Sequence, residues 1–348
     1  MTEDLKHSEK IELLDEGFEI KGEDKRKEIE IIEKESIPNY FPTYRIKRKL
    51  YPLPIIIVVI IAGILAYLTY IEAGVQVDGG YVSEEEYGAI GGILNGIIYT
   101  LLAAFSAFII IFIIKKKGIG VLLYIFGITF ALVGFFQTWF FGEIILYLLF
   151  YRNPKLFNLL DIELIYFTAI FVIFIIYRYF TSNSIKVKNF IVIYIGLLIG
   201  ASMGVFLPLW STLAILIGIS CWDLFAVLYK HGPIKQLVEL VSESNEEKTF
   251  SKQELKERID SGEYRYDTSK LEIGIGDLAF YSMLTSSALI HSNNIIVMML
   301  TAVAIIIGTG ITISGLKRNK ILPGLPISIF LGIGTMLISW YIISTIFI

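Results

Sequence analysis

LEIGIGDLAF, residues Leu271 to Phe280, places a carboxylate inside an otherwise apolar segment of the chain. Two glycines, Gly274 and Gly276, stand just before Asp277. A charged side chain in the middle of a bilayer costs roughly 2.5–3.5 kcal/mol on insertion scales, so an aspartate kept in such a segment indicates a functional site. Two properties of the rest of the chain decide its role: whether this segment spans a membrane, and whether Asp277 has a partner.

The composition is that of a membrane protein. Of the 348 residues, 55% are hydrophobic and 14% aromatic, and the mean hydropathy is +0.68, which is too apolar for a soluble protein of this length. The one cysteine, Cys221, excludes an intramolecular disulfide. The three histidines, His7, His231 and His291, do not have the spacing of metal ligands. The sequence therefore predicts neither a metal nor another cofactor.

Hydrophobic runs of about 20 residues, long enough to cross the ~30 Å hydrocarbon core, recur along the chain. The third run extends further if the apolar EIILYLLFY (143–151) belongs to it, and the seventh is the most polar, because Asp277 and several hydroxyl side chains interrupt it. The predicted fold class is an all-α polytopic membrane protein with nine transmembrane helices. These spans lie at 54–72, 89–114, 119–141, 160–180, 189–207, 209–229, 271–291, 295–314 and 325–348.

Lysine and arginine are concentrated in every second loop, which predicts the orientation of the spans. Basic residues precede span 1 and follow spans 2, 4, 6 and 8, whereas the intervening loops hold only Arg152 and Lys155. The bias predicts a cytoplasmic N-terminus and a C-terminus outside. Four regions follow: a charged cytoplasmic tail (1–49), spans 1–6 (50–229), a cytoplasmic loop (230–270) and spans 7–9 (271–348).

Span 6 carries a second carboxylate, in GISCWDLFAVLYKHGP. Asp223 lies six residues before Tyr229, where that span ends, and Asp277 lies six residues after Leu271, where span 7 begins. At 1.5 Å per residue, both carboxylates lie about 9 Å inside the same edge of the membrane. Two antiparallel helices joined on that side can face their aspartates across a shared gap.

Two carboxylates at one site do not both ionise, so the pair holds a single proton near neutral pH. The ionised aspartate can take a proton from water while the neutral one protonates the carbonyl oxygen of a peptide bond. Gly274 and Gly276 lack side chains and let a neighbouring helix or an extended substrate approach closely. Paired carboxylates also suit a proton relay, so the spacing alone leaves a protease and a proton-coupled transporter open.

Three motifs, in the right order, resemble the presenilin family, the catalytic components of γ-secretase. WDLFAVLYKHGPIKQLVE (222–239) resembles the end of the family's sixth span, and IGIGDLAFYSML (273–284) resembles its Gly-x-Gly-Asp motif in the seventh. LPGLPISIFLG (322–332) resembles the Pro-Ala-Leu motif that opens the ninth. The sequence departs from the family at two positions. Trp222 replaces the usual tyrosine before the aspartate, and Gly324 replaces the alanine of Pro-Ala-Leu.

The resemblance implies an intramembrane aspartyl endopeptidase of the GxGD type, with Asp223 and Asp277 as its catalytic pair. It implies single-span proteins as substrates, cut within their transmembrane segments, and a microbial, archaeal source with the protein in the cell membrane. Membrane lipid is the other expected partner, with no nucleic acid and no metal, and a homo-oligomer stays open. The residues expected to bind or position the substrate are Trp222, Gly274, Gly276, Pro323, Gly324 and Leu325.

Two other readings of the aspartates stay open at this stage. A transporter is disfavoured because the sequence has no repeated halves. A prepilin-peptidase-like aspartyl protease also pairs aspartates with a GxGD motif, but the ninth-span motif favours presenilin. The predicted cytoplasmic N-terminus disfavours signal peptide peptidases, which resemble presenilins but cross the membrane in the opposite orientation.

The strip EYRYDTSKLEIG (263–274) can form a strand beside an unwound substrate, although a solvated loop is favoured without substrate.

Overall fold

The computed structural model describes residues 42–182, 184–229, 232, 236, 270–316 and 324–346. Helices make up most of this part of the chain, and a π-helical turn, Leu68–Glu72, extends the first of them. The third continues to Phe150, so the apolar stretch after residue 141 belongs to it. A 3₁₀ turn, Arg48–Leu50, precedes the first long helix, and a four-residue helix, Glu84–Tyr87, precedes the second. The long helices are α1 (Pro52–Tyr67), α2 (Ala89–Lys117), α3 (Val121–Phe150), α4 (Pro154–Thr181), α5 (Ile185–Phe206), α6 (Leu209–Leu228), α7 (Ile275–Ser292), α8 (Ile295–Leu316) and α9 (Leu325–Ile346).

Within the described ranges, eight helices are long and apolar enough to cross a membrane. α7 is not among them: its 18 residues span about 27 Å, but Asp277 and its hydroxyl side chains make it too polar. It tolerates them because every residue from Tyr281 to Ile290 is buried, packed among α1, α5, α6, α8 and α9. The prediction of an all-α polytopic membrane protein is confirmed; the count of nine spans and the orientation stay predictions.

Small residues let α5 and α7 approach each other closely. A Cβ atom added to Gly204 of α5 would lie 2.6 Å from the Cβ of Ser286 on α7, so any side chain there would force the helices apart. Hydroxyl groups on α7 form hydrogen bonds with the backbone of their own helix; Ser282, for example, donates to the Leu278 carbonyl at 2.9 Å. Small side chains on both helices are the usual way to pack backbones together in a membrane.

Replacing Gly204 by alanine is expected to lower the free energy of unfolding by about 1–3 kcal/mol, the cost of overpacking a tight interface. Thermal unfolding of the purified protein in detergent measures it. The matched control is Gly334→Ala on α9, where an added Cβ meets nothing within 4 Å. Equal melting temperatures for the two variants would show that the close α5–α7 contact does not limit the stability of the protein.

A two-stranded antiparallel sheet stands where the chain enters α1 and α7. β1 (Thr43–Lys47) pairs with β2 (Lys270–Gly274), with Arg45 opposite Glu272. The Arg45 Nε atom forms an ion pair with Glu272 Oε1 at 2.8 Å. The two strands are more than two hundred residues apart in sequence, so the sheet connects the N-terminal part of the chain to the start of α7.

Asn189 of α5 holds the other edge of β1. The Arg45 backbone N–H donates to Asn189 Oδ1 at 2.8 Å, and Asn189 Nδ2 donates to the Arg45 carbonyl at 2.7 Å. The side-chain amide therefore pairs with β1 as a neighbouring strand would. β1 is fixed between the membrane helix α5 on one edge and β2 on the other.

Asn189→Ala is expected to loosen β1 without unfolding the bundle. Losing two hydrogen bonds to one backbone residue costs about 1–3 kcal/mol, so the local opening that exposes Arg45 and Lys47 should become about tenfold more frequent or greater. Tryptic cleavage at these positions, followed by mass spectrometry, measures it. Asn158→Ala, at an exposed position of α4, is the control, and the same tryptic rate in both variants would contradict the anchoring role.

The predicted start of span 7, residue 271, was wrong by about one helical turn. Residues 270–274 form β2, and α7 begins at Ile275, because pairing with β1 holds this stretch extended. The expectation of a solvated loop is therefore wrong for residues 270–274, and residues 43–47, assigned to the tail, form β1. The rest of the tail up to residue 41, residues 263–269 of the strip, and all of the 230–270 loop except 232, 236 and 270 lie outside the described residues.

Candidate active site

Asp223 and Asp277 lie on consecutive membrane helices of the described chain, where one ends and the other begins. Asp223 is in the last two turns of α6. Asp277 is in the first turn of α7, after the extended Gly274, and so lies at a helix N-terminus instead of two turns inside the helix. Unpaired N–H groups and the helix dipole make this end favourable for a carboxylate.

The segment Gly324–Leu325, where α9 begins, lies beside both aspartates. The backbone N–H of Leu325 donates to Asp223 Oδ2 at 3.3 Å. A Cβ atom on Gly324 would lie 3.4 Å from Asp277 Oδ2, and the carboxylates of Asp223 and Asp277 interact electrostatically. The structure thus brings together four of the predicted site residues around one short piece of backbone.

The glycine at position 324 fits this arrangement. At 3.4 Å, the Cβ of an alanine would be in ordinary van der Waals contact with the Asp277 carboxylate, so the family's alanine and this glycine are both compatible with the site. A larger side chain would cover Asp277. Pro323, the first residue of the predicted motif, lies outside the described residues.

Gly274 and Gly276 are not required by the packing of the described chain. Neither has a positive φ, and added Cβ atoms would meet neighbours only at 3.8 Å or beyond. Gly276 is exposed, and Gly274 is half-buried. The absence of side chains at these two positions therefore leaves open space beside Asp277, and no close packing contact in the described chain requires it.

Trp222 faces α2 and not the start of α9. Its ring packs against Phe108 of α2, with centroids 6.0 Å apart, and against Phe225 at 5.5 Å. Together with Cys221 it lines an apolar cavity of about 610 Å³ between α2 and α6. Neighbouring residues on a helix point about 100° apart, so Trp222 borders the site through the backbone it shares with Asp223.

Sequence reasoning missed the donor that contacts Asp223. Leu325 was expected to position the substrate, whereas in the structure it is the backbone N–H of this residue that binds a carboxylate. A backbone donor has no side-chain signature. The only available signal was that the first N–H groups of a helix lack partners within it.

The arrangement suits acid–base chemistry. Two neighbouring carboxylates can exchange protons with a water molecule and a substrate, and they are unequal because Asp223 has backbone N–H partners at Leu325 and Gly324 and Asp277 has one at Gly274. Within the described ranges, no group of three or more His, Cys, Asp or Glu side chains could hold a metal ion.

Comparison with known proteins relates the chain to one family. The sequence model of the presenilin family matches residues 53–251 and 243–347. Presenilin-B of Dictyostelium discoideum is 41% identical over 129 residues, which are 36% of this chain and 25% of that protein. A presenilin-like protein of Arabidopsis thaliana is 21% identical over 312 residues, covering 70% of this chain and 76% of that protein.

The fold is also similar to a solved structure, described as a presenilin family intramembrane aspartate protease. The TM-score is 0.52 with 14% sequence identity, and the match covers 83% of this chain and 97% of the other. At this identity the likeness establishes the fold alone. The match to the Dictyostelium protein spans a quarter of that relative's length.

Proposed function

The chain belongs to the presenilin family, and on that premise we propose that it is an intramembrane aspartyl endopeptidase. It is an integral, multi-pass membrane protein. Its substrates are single-span membrane proteins, which it cuts within their transmembrane segments. The observation that carries the proposal is the meeting of Asp223 and Asp277 at the start of α9.

Unequal hydrogen bonding gives the two aspartates different roles. A hydrogen bond from an N–H group favours the ionised form of a carboxylate, and Asp223 has the backbone N–H groups of Leu325 and Gly324, whereas Asp277 has that of Gly274 alone. Asp223 is therefore the base, and Asp277 carries the shared proton. The oxygen of a water molecule bonds to the peptide carbon while its proton passes to Asp223, and the proton of Asp277 passes to the carbonyl oxygen. A gem-diol results, with no covalent bond to the enzyme.

Collapse of the gem-diol completes the reaction. The C–N bond breaks, the leaving nitrogen takes the proton from Asp223, and Asp277 recovers a proton from a gem-diol hydroxyl. One water molecule is consumed and the pair returns to its starting protonation. No metal or other cofactor takes part in this scheme.

Among the described residues β2 pairs with β1 alone, so its other edge provides a place for an unwound substrate. Arg45 uses its backbone N–H and C=O on Asn189, so Arg45 and Glu272 form a pair without mutual hydrogen bonds. The backbone groups of Glu272 therefore point away from β1. A substrate strand added at that edge would run past the open space at Gly274 and Gly276 and reach Asp277.

The orientation and regions follow the basic loops. We place the N-terminus and the 230–270 loop in the cytoplasm and the C-terminus outside, with spans 1–6 over 50–229 and spans 7–9 over 275–348. The aspartates then lie near the cytoplasmic side. Trp222, Gly274, Gly276, Pro323, Gly324 and Leu325 are proposed to position the substrate there, with membrane lipid as the surrounding partner.

The test is cleavage by purified protein reconstituted in liposomes with a single-span substrate. Mass spectrometry of the products locates the cut, and proton uptake by the same liposomes is recorded in parallel. A cut inside the span, insensitive to a chelator, supports the proposal. Proton uptake without any cleavage would replace it by the transporter reading of the same aspartates.

A further inference from the structure

Three hydroxyl groups from three helices meet one turn away from the aspartates. Tyr281 of α7 donates to Ser328 Oγ of α9 at 3.3 Å, and Thr309 of α8 donates to the Tyr281 oxygen at 3.4 Å. The oxygens of Thr309 and Ser328 are 3.1 Å apart. All three side chains are buried, with 1%, 7% and 0% exposure for Tyr281, Thr309 and Ser328 respectively.

The residue beside Thr309 explains how the cluster forms. A Cβ atom on Gly308 would lie 2.6 Å from the Cα of Ser328, so the backbones of α8 and α9 touch at this point. This approach carries the short side chains of Thr309 and Ser328 to each other, and the longer Tyr281 spans the distance from α7. Thr309 also lies 2.9 Å from the Ile305 carbonyl oxygen of its own helix, as Thr301 on the same helix lies 2.7 Å from that of Val297. Thr309 differs in that its hydroxyl is additionally within reach of Tyr281 and Ser328 on two other helices.

The cluster is connected to the candidate site through two helical turns. Tyr281 is four residues after Asp277 on α7, and Ser328 is four residues after Gly324 on α9. The Ser328 hydroxyl is also 3.5 Å from the Gly324 carbonyl oxygen. Whatever fixes Tyr281 against Ser328 therefore fixes the first turn of α7 against the first turn of α9.

We propose that Tyr281, Thr309 and Ser328 form a positioning cluster, which holds the start of α9 so that the Leu325 N–H stays on Asp223 and Gly324 stays beside Asp277. This inference rests on the proposed function. The three side chains are buried and do not touch the substrate, so their role is to position other groups. Buried hydroxyls that have no water to bond to keep their mutual hydrogen bonds, which makes the junction stiff.

The expected consequence is a loss of turnover without a loss of substrate binding. Misplacing a catalytic group by about 1 Å can cost on the order of 10²-fold in rate, so a partial loosening of α9 should lower kcat by roughly tenfold or more. Substrate binding along β2 does not involve the cluster. KM for a single-span substrate should therefore stay within about twofold of the wild-type value.

Thr309→Val is the decisive variant, because valine keeps the shape of threonine and removes only the hydroxyl. Thr301→Val is the matched control, with the same substitution on the same helix at a buried position. We expect kcat to fall for Thr309→Val, to recover in Thr309→Ser, and to stay unchanged in Thr301→Val. Tyr281→Phe and Ser328→Ala should each reproduce the loss, and combining either with Thr309→Val should add little.

Amide hydrogen exchange over residues 324–332 provides a measurement that needs no activity. Thr309→Val should exchange faster there than wild type and Thr301→Val. If wild type cleaves but Thr309→Val and Thr301→Val have the same kcat, the positioning cluster is overturned and the proposed function stands. If wild type does not cleave, the proposed function fails. The exchange then decides the cluster: unchanged exchange overturns it, and faster exchange supports its hold on α9.

Discussion

Replacing either aspartate by asparagine is expected to abolish cleavage of a single-span substrate. Asparagine keeps the shape of the side chain but can neither take a proton from water, the role proposed for Asp223, nor give one to the carbonyl oxygen, the role proposed for Asp277. Acid–base groups contribute about 10²–10⁴-fold each, so both single variants should fall to the background of the assay. Product formation over hours in liposomes, with mass spectrometry of the fragments, measures the loss.

The double variant Asp223→Asn/Asp277→Asn should lose no more than either single one, because residues that act as a unit are not additive. Asp161→Asn is the matched control: its half-buried carboxylate lies on α4, which packs against α3 and α5, and its activity should equal wild type. Melting temperatures close to wild type exclude misfolding. Wild-type activity in Asp223→Asn or Asp277→Asn would show that the pair is not the catalytic dyad.

The position of this pair could be predicted because it depends on local spacing. Hydrophobic runs gave the ends of spans 6 and 7, and counting residues from those ends placed both carboxylates on the same side of the bundle. The structure places both aspartates beside the segment Gly324–Leu325, although the depth of Asp277 differs from the prediction. The first turn of α7 is where Asp277 lies, since strand β2 takes the residues before it.

The sequence suggested that strand only beside a substrate, because a local pattern does not reveal its partner within the chain. Residues 270–274 are held extended by β1, and strand formation depends on the partner more than on the strand's own residues. The partner lies in a basic stretch which reads, by composition alone, as a tail before the first span. Asn189, whose amide completes the arrangement, lies on a third element.

The positioning cluster of Tyr281, Thr309 and Ser328 could not be predicted from the sequence for a related reason. Serine, threonine and tyrosine in a span indicate polarity, but most of them satisfy their own helix backbone, as Thr285 does with the Tyr281 carbonyl at 3.0 Å. Thr309 does the same with the Ile305 carbonyl at 2.9 Å, and only the three-dimensional packing shows that its hydroxyl also reaches Tyr281 and Ser328. Cys221, next to Asp223, is exposed, because its face of α6 borders the cavity beside α2.

Leu325→Pro is expected to lower turnover by about 10- to 100-fold while leaving α9 intact. Proline has no N–H and so deletes the bond to Asp223, which is the only change that it makes to the backbone donors of the site. Leu325 is the first residue of α9, and proline is tolerated at the first helical position, where the N–H has no helical partner. A hydrogen bond to a charged group is worth about 1.5–3 kcal/mol, and about 1.4 kcal/mol corresponds to tenfold in rate.

Leu325→Ala separates this effect from loss of the buried side chain. The leucine is 7% exposed, so both variants lose its packing, but alanine keeps the N–H. Alanine should therefore retain most of the wild-type kcat at a temperature where both variants are folded, and the ratio of kcat for alanine to kcat for proline isolates the hydrogen bond. Equal values for the two would mean that Asp223 does not need the Leu325 donor, and the division of roles between Asp223 and Asp277 would then lose its physical basis.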